Sequence, residues 1–585
     1  MEVLPQVAHV PTYAGSKDCK ACHEKQHVSW FQSYHRTMTQ LPLPDAVQAD
    51  FNNVTLTNLS TRYVLSRKGD EFWIRMENLL STGDIANQEV NEVPLGLVTG
   101  SHHMQVFWIP VGLGNCQMGF PFTWLIPERR WVPRNSTFVR PPSMEYRPET
   151  WNHICARCHA TATQPNYDRT TKTWNTEVAD FGIACEACHG PGERHVTQQR
   201  ELKRLNLKPD GRGTNLLIVQ PEKLSAARAS QVCGYCHSMK WLDRKEGWPE
   251  HPFTFRPGQD LDQSTPVIRP KEIDRQPWLH SVLEKNPDIL NDFFWSDGMI
   301  RVSGREYNGL IESPCYKGGQ FSCLSCHSMH KSEPDDQLAH DRHTDKACVQ
   351  CHTRFQMGAE VTAHTHHRAG STGSACYNCH MPHTSYGVLS AIRSHQVSSP
   401  RVADHLATGR PNACNLCHLD KSLAWTSQNL AAWYGHPMPE LQEEQSTLSE
   451  SVRLGLGGDA GQRVLFAWHF GWEPALQISG RTWIPPVLAI QLDDPYAAIR
   501  CVAERSLRRV EDPLVPVGYD YTSDPETRPE ASRSIIQSWA LKTTASTNLA
   551  IPASTWVDPG NPMKMRERFG RLESQRNGRP VRLRE

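Results

Sequence analysis

Four copies of one five-residue pattern lie between Phe321 and His418: Cys323-Leu-Ser-Cys326-His327, Cys348-Val-Gln-Cys351-His352, Cys376-Tyr-Asn-Cys379-His380 and Cys414-Asn-Leu-Cys417-His418. The pattern C-x-x-C-H is typical of covalent attachment of haem c, in which the two thiols bond the porphyrin and the histidine takes one axial position on the iron. Four further copies precede this stretch: Cys19-Cys22-His23, Cys155-Cys158-His159, Cys185-Cys188-His189 and Cys233-Cys236-His237. We number them motifs 1 to 8 in chain order and predict eight haems c.

Other uses of the cysteines fit less well. With 19 Cys and 28 His in 585 residues, about 0.03 copies of the pattern are expected by chance. Zinc sites pair two C-x-x-C hooks and do not require a histidine directly after each one, and a disulfide framework requires no histidine. Three cysteines, Cys116, Cys315 and Cys501, lie outside the motifs and receive no predicted role.

Composition and length limit the class of protein and the number of structural units. Lys and Arg together number 62, as do Asp and Glu, which argues against nucleic acid as the main partner. A chain of this length predicts two to four structural units. We find no apolar run long enough to span a membrane. Because haem c is attached outside the cytoplasm, we expect a periplasmic or extracellular protein, although no export signal is recognisable at Met1 to Val10.

The pattern of hydrophobic and turn residues predicts a mainly α, loop-rich fold with a small antiparallel β insert and a HEAT-like helical C-terminal region. Helical patterns occupy 423–434, 461–470 and 483–492, and another follows the Asp493-Asp-Pro cap. We expect five segments: a four-haem domain at 1–245 with the β insert at about 50–140, a connecting insert at 246–312, a second four-haem domain at 313–440, a HEAT-like region at 441–525 and an extended basic tail at 526–585.

Twenty histidines remain for the second axial position of eight irons. Several follow or precede a motif so closely that they should reach a neighbouring haem instead of their own. The predicted distal ligands are His35, His103, His195, His330, His340, His364, His367 and His395. His343 is an alternative to His340 as the distal ligand of one iron.

Two groups of residues resemble known families. Cys185-Glu-Ala-Cys-His-Gly-Pro-Gly and Trp30…Ser33-Tyr-His35 resemble the tetraheme cytochrome c family of ammonia oxidisers. Cys323-Leu-Ser-Cys-His-Ser-Met-His330, His364-Thr-His-His367 and Pro411-Asn-Ala-Cys-Asn-Leu-Cys-His418 are similar to multihaem cytochromes with doubled C-x-x-C-H motifs and a helical-repeat C-terminus. The resemblance implies closely stacked, mostly bis-histidine haems in a largely helical fold.

The leading hypothesis is an octahaem cytochrome that transfers electrons along these haems to redox partner proteins or to another copy of itself. The alternative is an oxidoreductase that acts on nitrite, hydroxylamine, tetrathionate or a similar small molecule at one open-site haem. Related multihaem nitrite reductases often use C-x-x-C-K at the catalytic haem, and that motif does not occur here. No catalytic residue is predicted.

Overall fold

The computed structural model describes residues 3–79, 90–144, 147–207, 217–240, 248, 255–330, 337–511, 514–545 and 550–583. Contacts group the chain into two compact units. The first comprises 1–134, 146–267 and 318–343, and the second comprises 135–145, 268–317 and 344–585. Motifs 1 to 5 therefore lie in the first unit and motifs 6 to 8 in the second, whereas the sequence suggested two groups of four; the predicted domain boundaries stay a prediction.

Two four-stranded antiparallel sheets form most of the first unit's β structure, with strand orders β2-β3-β4-β5 and β6-β7-β8-β9. The alternation of a strand explains them: in β4 Phe72 and Ile74 are buried, whereas Glu71 before them and Arg75 after them are exposed and Trp73 between them is half-buried. The β insert predicted at about 50–140 is thus confirmed. The strands of these sheets are β2 Val54–Asn58, β3 Thr61–Lys68, β4 Glu71–Asn78, β5 Val90–Pro94, β6 Leu97–Thr99, β7 Met104–Pro110, β8 Gln117–Leu125 and β9 Arg130–Pro133.

Short strand pairs and short helices complete the first unit. The additional strands are β1 Gln6–Val7, β10 Ala160–Thr161, β11 Tyr167–Asp168, β12 Thr173–Trp174, β13 Glu177–Val178 and β14 Asp180–Phe181. The helices are α1 Ser16–Lys20, α2 Glu24–Phe31, α3 Ala156–His159, α4 Cys185–His189, α5 Glu193–Arg204, α6 Ala226–Gly234 and α7 Leu261–Ser264. A π-helical turn, Trp151–Cys155, leads directly into α3.

The second unit is helical apart from one hairpin, β15 His383–Gly387 with β16 Ser390–Arg393. Its first helices are short: α8 Pro277–Lys285, α9 Ile289–Phe293, α10 Glu306–Glu312, α11 Pro314–Lys317, α12 Lys346–Val349, α13 Gly358–Thr365, α14 Cys376–His380, α15 Val402–Thr408 and α16 Ala413–Cys417. Three of them, α12, α14 and α16, contain motif cysteines. Mainly helical, loop-rich structure with an antiparallel insert is the fold class that the sequence predicted, and it is confirmed.

The helices that follow pack on one another: α17 Leu423–Tyr434, α18 Glu443–Thr447, α19 Glu450–Gly457, α20 Ala460–His469, α21 Glu473–Ser479, α22 Pro485–Gln491, α23 Ala497–Glu511, α24 Arg528–Thr544 and α25 Pro562–Ser574. Helices α17, α20, α22 and α23 lie where the sequence predicted them. Asp494 accepts a hydrogen bond from the Tyr496 backbone N–H at 3.0 Å, as a capping carboxylate should. Whether the helices form HEAT-like repeats stays a prediction.

The prediction of an extended basic tail at 526–585 is wrong. Two helices, α24 and α25, occupy this segment, and α25 buries Met565, Phe569 and Leu572. These three positions follow helical spacing, which predicts an amphipathic helix. The prediction of a tail relied on the many arginines of the segment instead of on this spacing. Beyond α25, Leu583 is buried and its backbone N–H donates to the Val139 carbonyl at 2.9 Å.

Candidate functional site

Each motif forms a single helical turn. In motifs 1, 4, 5, 6 and 8 the backbone N–H of the histidine donates to the carbonyl of the first cysteine at 2.8–3.0 Å, and motifs 3 and 7 are the helices α4 and α14. Residues at i, i+3 and i+4 share one face of a helix. Both thiols and the imidazole of each motif therefore leave the backbone on the same side, as attachment to one flat group requires.

Neighbouring motifs of the first unit meet through their thiols. The Cys19 thiol of motif 1 is hydrogen-bonded to Cys185 of motif 3. Cys236 of motif 4 is hydrogen-bonded to Cys158 of motif 2. Cys233 of motif 4 is hydrogen-bonded to Cys323 of motif 5. Cys188 of motif 3 interacts electrostatically with both motif 4 thiols. The five motifs thus form one connected group.

The three motifs of the second unit form a series. Cys348 of motif 6 is hydrogen-bonded to Cys376 of motif 7. Cys379 of motif 7 interacts electrostatically with Cys414 and Cys417 of motif 8. Motif 6 also has Cys315 within electrostatic range of its two thiols, so this cysteine from outside the motifs lies beside an attachment site.

None of the cysteines is cross-linked to another, and burial raises the pKa of several thiols. All nineteen cysteines are free thiols. Burial raises the pKa of Cys155 and of Cys414 to about 12 and that of Cys188 to about 11. Because a low-dielectric site disfavours the thiolate, these sites suit an apolar ring better than a set of charged sulfur ligands.

Five predicted distal histidines face a motif histidine. Their ring centres are 6.1–6.4 Å apart in the pairs His23 with His195, His35 with His237, His189 with His330, His364 with His380 and His367 with His418. Two imidazoles that bind opposite sides of one metal ion, each at about 2 Å, have ring centres about 6 Å apart. The gap in each pair therefore matches one axially coordinated ion.

Hydrogen bonds fix which ring nitrogen can bind metal. Nδ1 of His189 donates to the Val219 carbonyl at 2.8 Å, Nδ1 of His380 to Ser398 at 2.9 Å and Nδ1 of His367 to Thr365 at 2.6 Å. Such second-shell bonds select the tautomer and orient the ring. Nε2 is consequently the nitrogen left for a metal on these three residues.

The hydrogen-bond partner of the His35 ring is a side chain, whereas His189, His380 and His367 bond to backbone carbonyls. Its Nδ1 lies 2.5 Å from Oε1 of Gln337. Burial and the field of His237 lower the pKa of His35 to about 4, and burial with His367 does the same for His418. Both rings are therefore neutral near pH 7, which is the protonation state that a metal ligand needs.

The other three predicted distal histidines are not brought against a motif histidine by any described ring contact. The His340 side chain is 92% exposed and lies 3.6 Å from Asp341. His103 packs on the His102 ring, with ring centres 3.9 Å apart. Nδ1 of His395 donates to the Arg393 carbonyl at 3.2 Å. Their roles as ligands stay predictions.

An open pocket borders Cys158 of motif 2 and Cys236 of motif 4. Aromatic residues such as Tyr235 and Trp248 line it together with polar residues, which include Glu186, Arg157 and Arg256. A flat apolar macrocycle with carboxylate edges fits such a lining, since the rings pack on the apolar walls and the carboxylates pair with arginine. The residues present thus suit haem c.

Sequence reasoning missed three residues beside the motifs. Gln337 contacts His35, Lys240 places Nζ 4.0 Å from Sγ of Cys158 and 4.6 Å from the Tyr235 ring centre, and Glu186 is buried inside motif 3. Glu186 accepts hydrogen bonds from the backbone N–H groups of Ala14, Gly15 and Gly192 at 2.6–2.9 Å. Only its position between Cys185 and Cys188 could have drawn attention to it.

Comparison with known proteins found one family model and one solved structure to which the chain is similar. Residues 137–190, which include motifs 2 and 3, match the model of the family described as cytochrome c554 and c-prime. The match is consistent with c-type haem attachment at these two motifs. The solved structure of the outer cell wall cytochrome OcwA is similar to the chain with a TM-score of 0.48 and 17% identity, over 86% of this chain and 100% of that one. No curated protein matches the sequence.

Among the described residues, none of the helices combines the length and the apolar character needed to cross a bilayer. The longest helix, α24, has 17 residues and includes charged side chains.

Proposed function

We propose that the chain is an octahaem c-type cytochrome whose function is electron transfer along mostly bis-histidine haems. Each bound haem supplies an iron that cycles between Fe(III) and Fe(II). The protein's own part is to hold neighbouring groups close together, to set each potential through axial ligation and burial, and to keep water from the metal.

One observation carries the proposal: five motif histidines each face a second histidine across a gap of 6.1–6.4 Å. A metal-sized spacing that recurs five times, always with one partner from a C-x-x-C-H motif, is what bis-histidine ligation requires. The thiol contacts between motifs support close packing of the attached groups within each unit.

The proposed roles follow the motifs. Each motif contributes two thioether bonds and a proximal histidine, that is His23, His159, His189, His237, His327, His352, His380 and His418. The distal ligands supported by ring geometry are His35, His195, His330, His364 and His367. For His159, His327 and His352 the proposed distal ligands remain His103, His340 and His395, unassigned among those three motifs.

The proposed setting is outside the cytoplasm, because haem c is attached there. The partners are redox proteins or a second copy of the chain. The near-equal numbers of basic and acidic residues disfavour nucleic acid.

Electron paramagnetic resonance of the oxidised protein tests the proposal. Eight low-spin bis-histidine signals support electron transfer alone. A high-spin haem whose spectrum changes on adding nitrite, hydroxylamine or carbon monoxide would instead favour the oxidoreductase hypothesis. Protein with fewer haems and bound zinc would reject both.

A further inference from the structure

Motifs 1 and 6 are the most exposed of the eight. Of the sixteen motif cysteines only Cys22 and Cys351 are exposed, and of the eight motif histidines only His23 and His352 are exposed. The remaining motif residues are half-buried. Electron transfer between proteins needs close approach to a cofactor, so these two motifs are where a partner can reach the chain.

The two exposed motifs differ in surrounding charge. Helices α1, α2 and α5, which flank motif 1, carry seven basic and four acidic side chains. Arg200 of α5 pairs with Asp18 of α1 at 2.7 Å, and His195 of α5 faces His23, so the three helices belong to one surface. By contrast, Lys346 and Arg354 near motif 6 are offset by Asp345 and Glu360. The helices around motif 1 thus carry three more basic than acidic side chains, whereas the charges compared near motif 6 balance.

The same surface has an apolar centre. Val28 and Phe31 are three residues apart on α2, so they share a face, and each is 49% exposed. No residue of α2 is buried. Lys17, Lys20 and Lys25 are exposed nearby on α1 and α2. Exposed apolar side chains within a charged and polar rim are the usual anatomy of a transient protein interface.

We propose that the motif 1 surface, made of α1, α2 and α5, docks an acidic one-electron carrier protein. The proposal rests on the proposed function, because docking there serves electron exchange through motif 1. The occupant is a redox protein because the exposed motif residues lie within the surface. It is acidic because basic side chains outnumber acidic ones on this surface by three, even though Arg200 and Arg204 are paired with carboxylates, and this excess is complementary to negative charge. The neutral surroundings of motif 6 do not favour such a partner.

Binding of a plant-type [2Fe–2S] ferredoxin, a small acidic redox protein, tests the proposal by isothermal titration calorimetry on the haem-loaded protein. The test variant is Lys17→Glu/Lys25→Glu, two exposed positions outside the motif. The control is Lys285→Glu/Lys564→Glu, which makes the same charge change at exposed positions on α8 and α25. Haem content and the optical spectrum verify that each variant is folded and loaded.

We expect the native protein and the control to bind the ferredoxin alike, with affinity falling about tenfold between 20 and 200 mM salt. The test variant should bind at least about fivefold more weakly. Equal weakening in both variants, no effect in either, or no binding by the native protein at low salt would overturn the proposal. Those outcomes leave the eight haems and their low-spin spectrum intact, so they are distinct from failure of the proposed function.

Discussion

His364 and His380 face each other with ring centres 6.1 Å apart and planes within 5° of parallel. One ring comes from the end of α13 and the other from motif 7, and Nδ1 of His380 is held by the Ser398 carbonyl. Two separate segments are thus positioned to bind opposite sides of one ion. The same arrangement recurs in four other pairs, and it underlies the predictions below.

Replacing His367 should create a high-spin haem. Its ring centre is 6.1 Å from that of His418, so His367→Ala removes one proposed axial ligand. His366→Ala is a matched control, since His366 stacks on Trp433 at 4.5 Å instead. Optical and electron paramagnetic resonance spectra should show one high-spin haem in the first variant and none in the second. His367→Met should restore a low-spin iron at a higher potential. Identical spectra for both alanine variants would remove His367 from the ligands.

Gln337 should lower the potential of the haem at motif 4. Its Oε1 accepts from Nδ1 of His35 at 2.5 Å, and such a bond makes the imidazole a stronger donor that stabilises Fe(III). We expect Gln337→Leu to raise one midpoint in a spectroelectrochemical titration by about 30–60 mV, since 59 mV corresponds to a tenfold change for one electron. Gln575→Leu, at an exposed position just beyond α25, should leave every midpoint in place. A lowered midpoint in Gln337→Leu would contradict the prediction.

Glu186 should act on potentials through its charge. It is 2% exposed, and burial raises the pKa of its carboxyl group. A buried negative charge near a haem favours the oxidised iron, and at about 10 Å with an effective dielectric constant near 20 the effect is about 1–2 kcal/mol. Glu186→Gln should therefore raise at least one midpoint by about 40–80 mV. The control is Glu201→Gln, a change at an exposed position on α5. Equal midpoints in the native protein, Glu186→Gln and Glu201→Gln would show that the Glu186 charge does not influence the potentials.

Glu450 should make the second unit sensitive to acid. It is fully buried; desolvation disfavours its charge, but hydrogen bonds from His405 at 2.8 Å and from Arg453 outweigh this and lower its pKa to about 2. A carboxyl group with a lowered folded pKa stabilises the fold above its unfolded value of about 4.5, and this contribution is lost as pH falls towards 2.

Thermal melts of the native protein and of Glu450→Gln between pH 7 and pH 2.5 test that sign. At pH 7 the variant should be less stable by about 3 kcal/mol, because it leaves a buried cation without its partner. The difference should shrink below pH 4.5. A difference that stays constant or grows as pH falls would show that Glu450 does not carry the stabilising charge.

Motifs and long helices could be predicted from the sequence, because their signals are local. The C-x-x-C-H spacing is one helical turn, and Tyr496, Ile499, Ala503, Leu507 and Val510 all lie buried on one face of the helical segment that the Asp494 cap opens. In α25 the same kind of spacing was present, but the charge count took precedence, and the segment was predicted to be extended.

The partners of the distal histidines could not be predicted, because they depend on contacts between distant segments. His195 follows motif 3 yet faces motif 1, and His330 follows motif 5 yet faces motif 3. Their proximity to motifs indicated a role, while only the fold determines which motif each one meets. Gln337 was missed for the same reason, since an isolated glutamine carries no recognisable signal.

Intact mass spectrometry of the denatured protein, matured in a host that attaches haem c, tests the central claim most directly. Covalent haems survive denaturation, so the account predicts the mass of the processed chain plus eight haems. A mass with fewer covalently bound haems, or one that equals the chain alone with zinc released on denaturation, would contradict it.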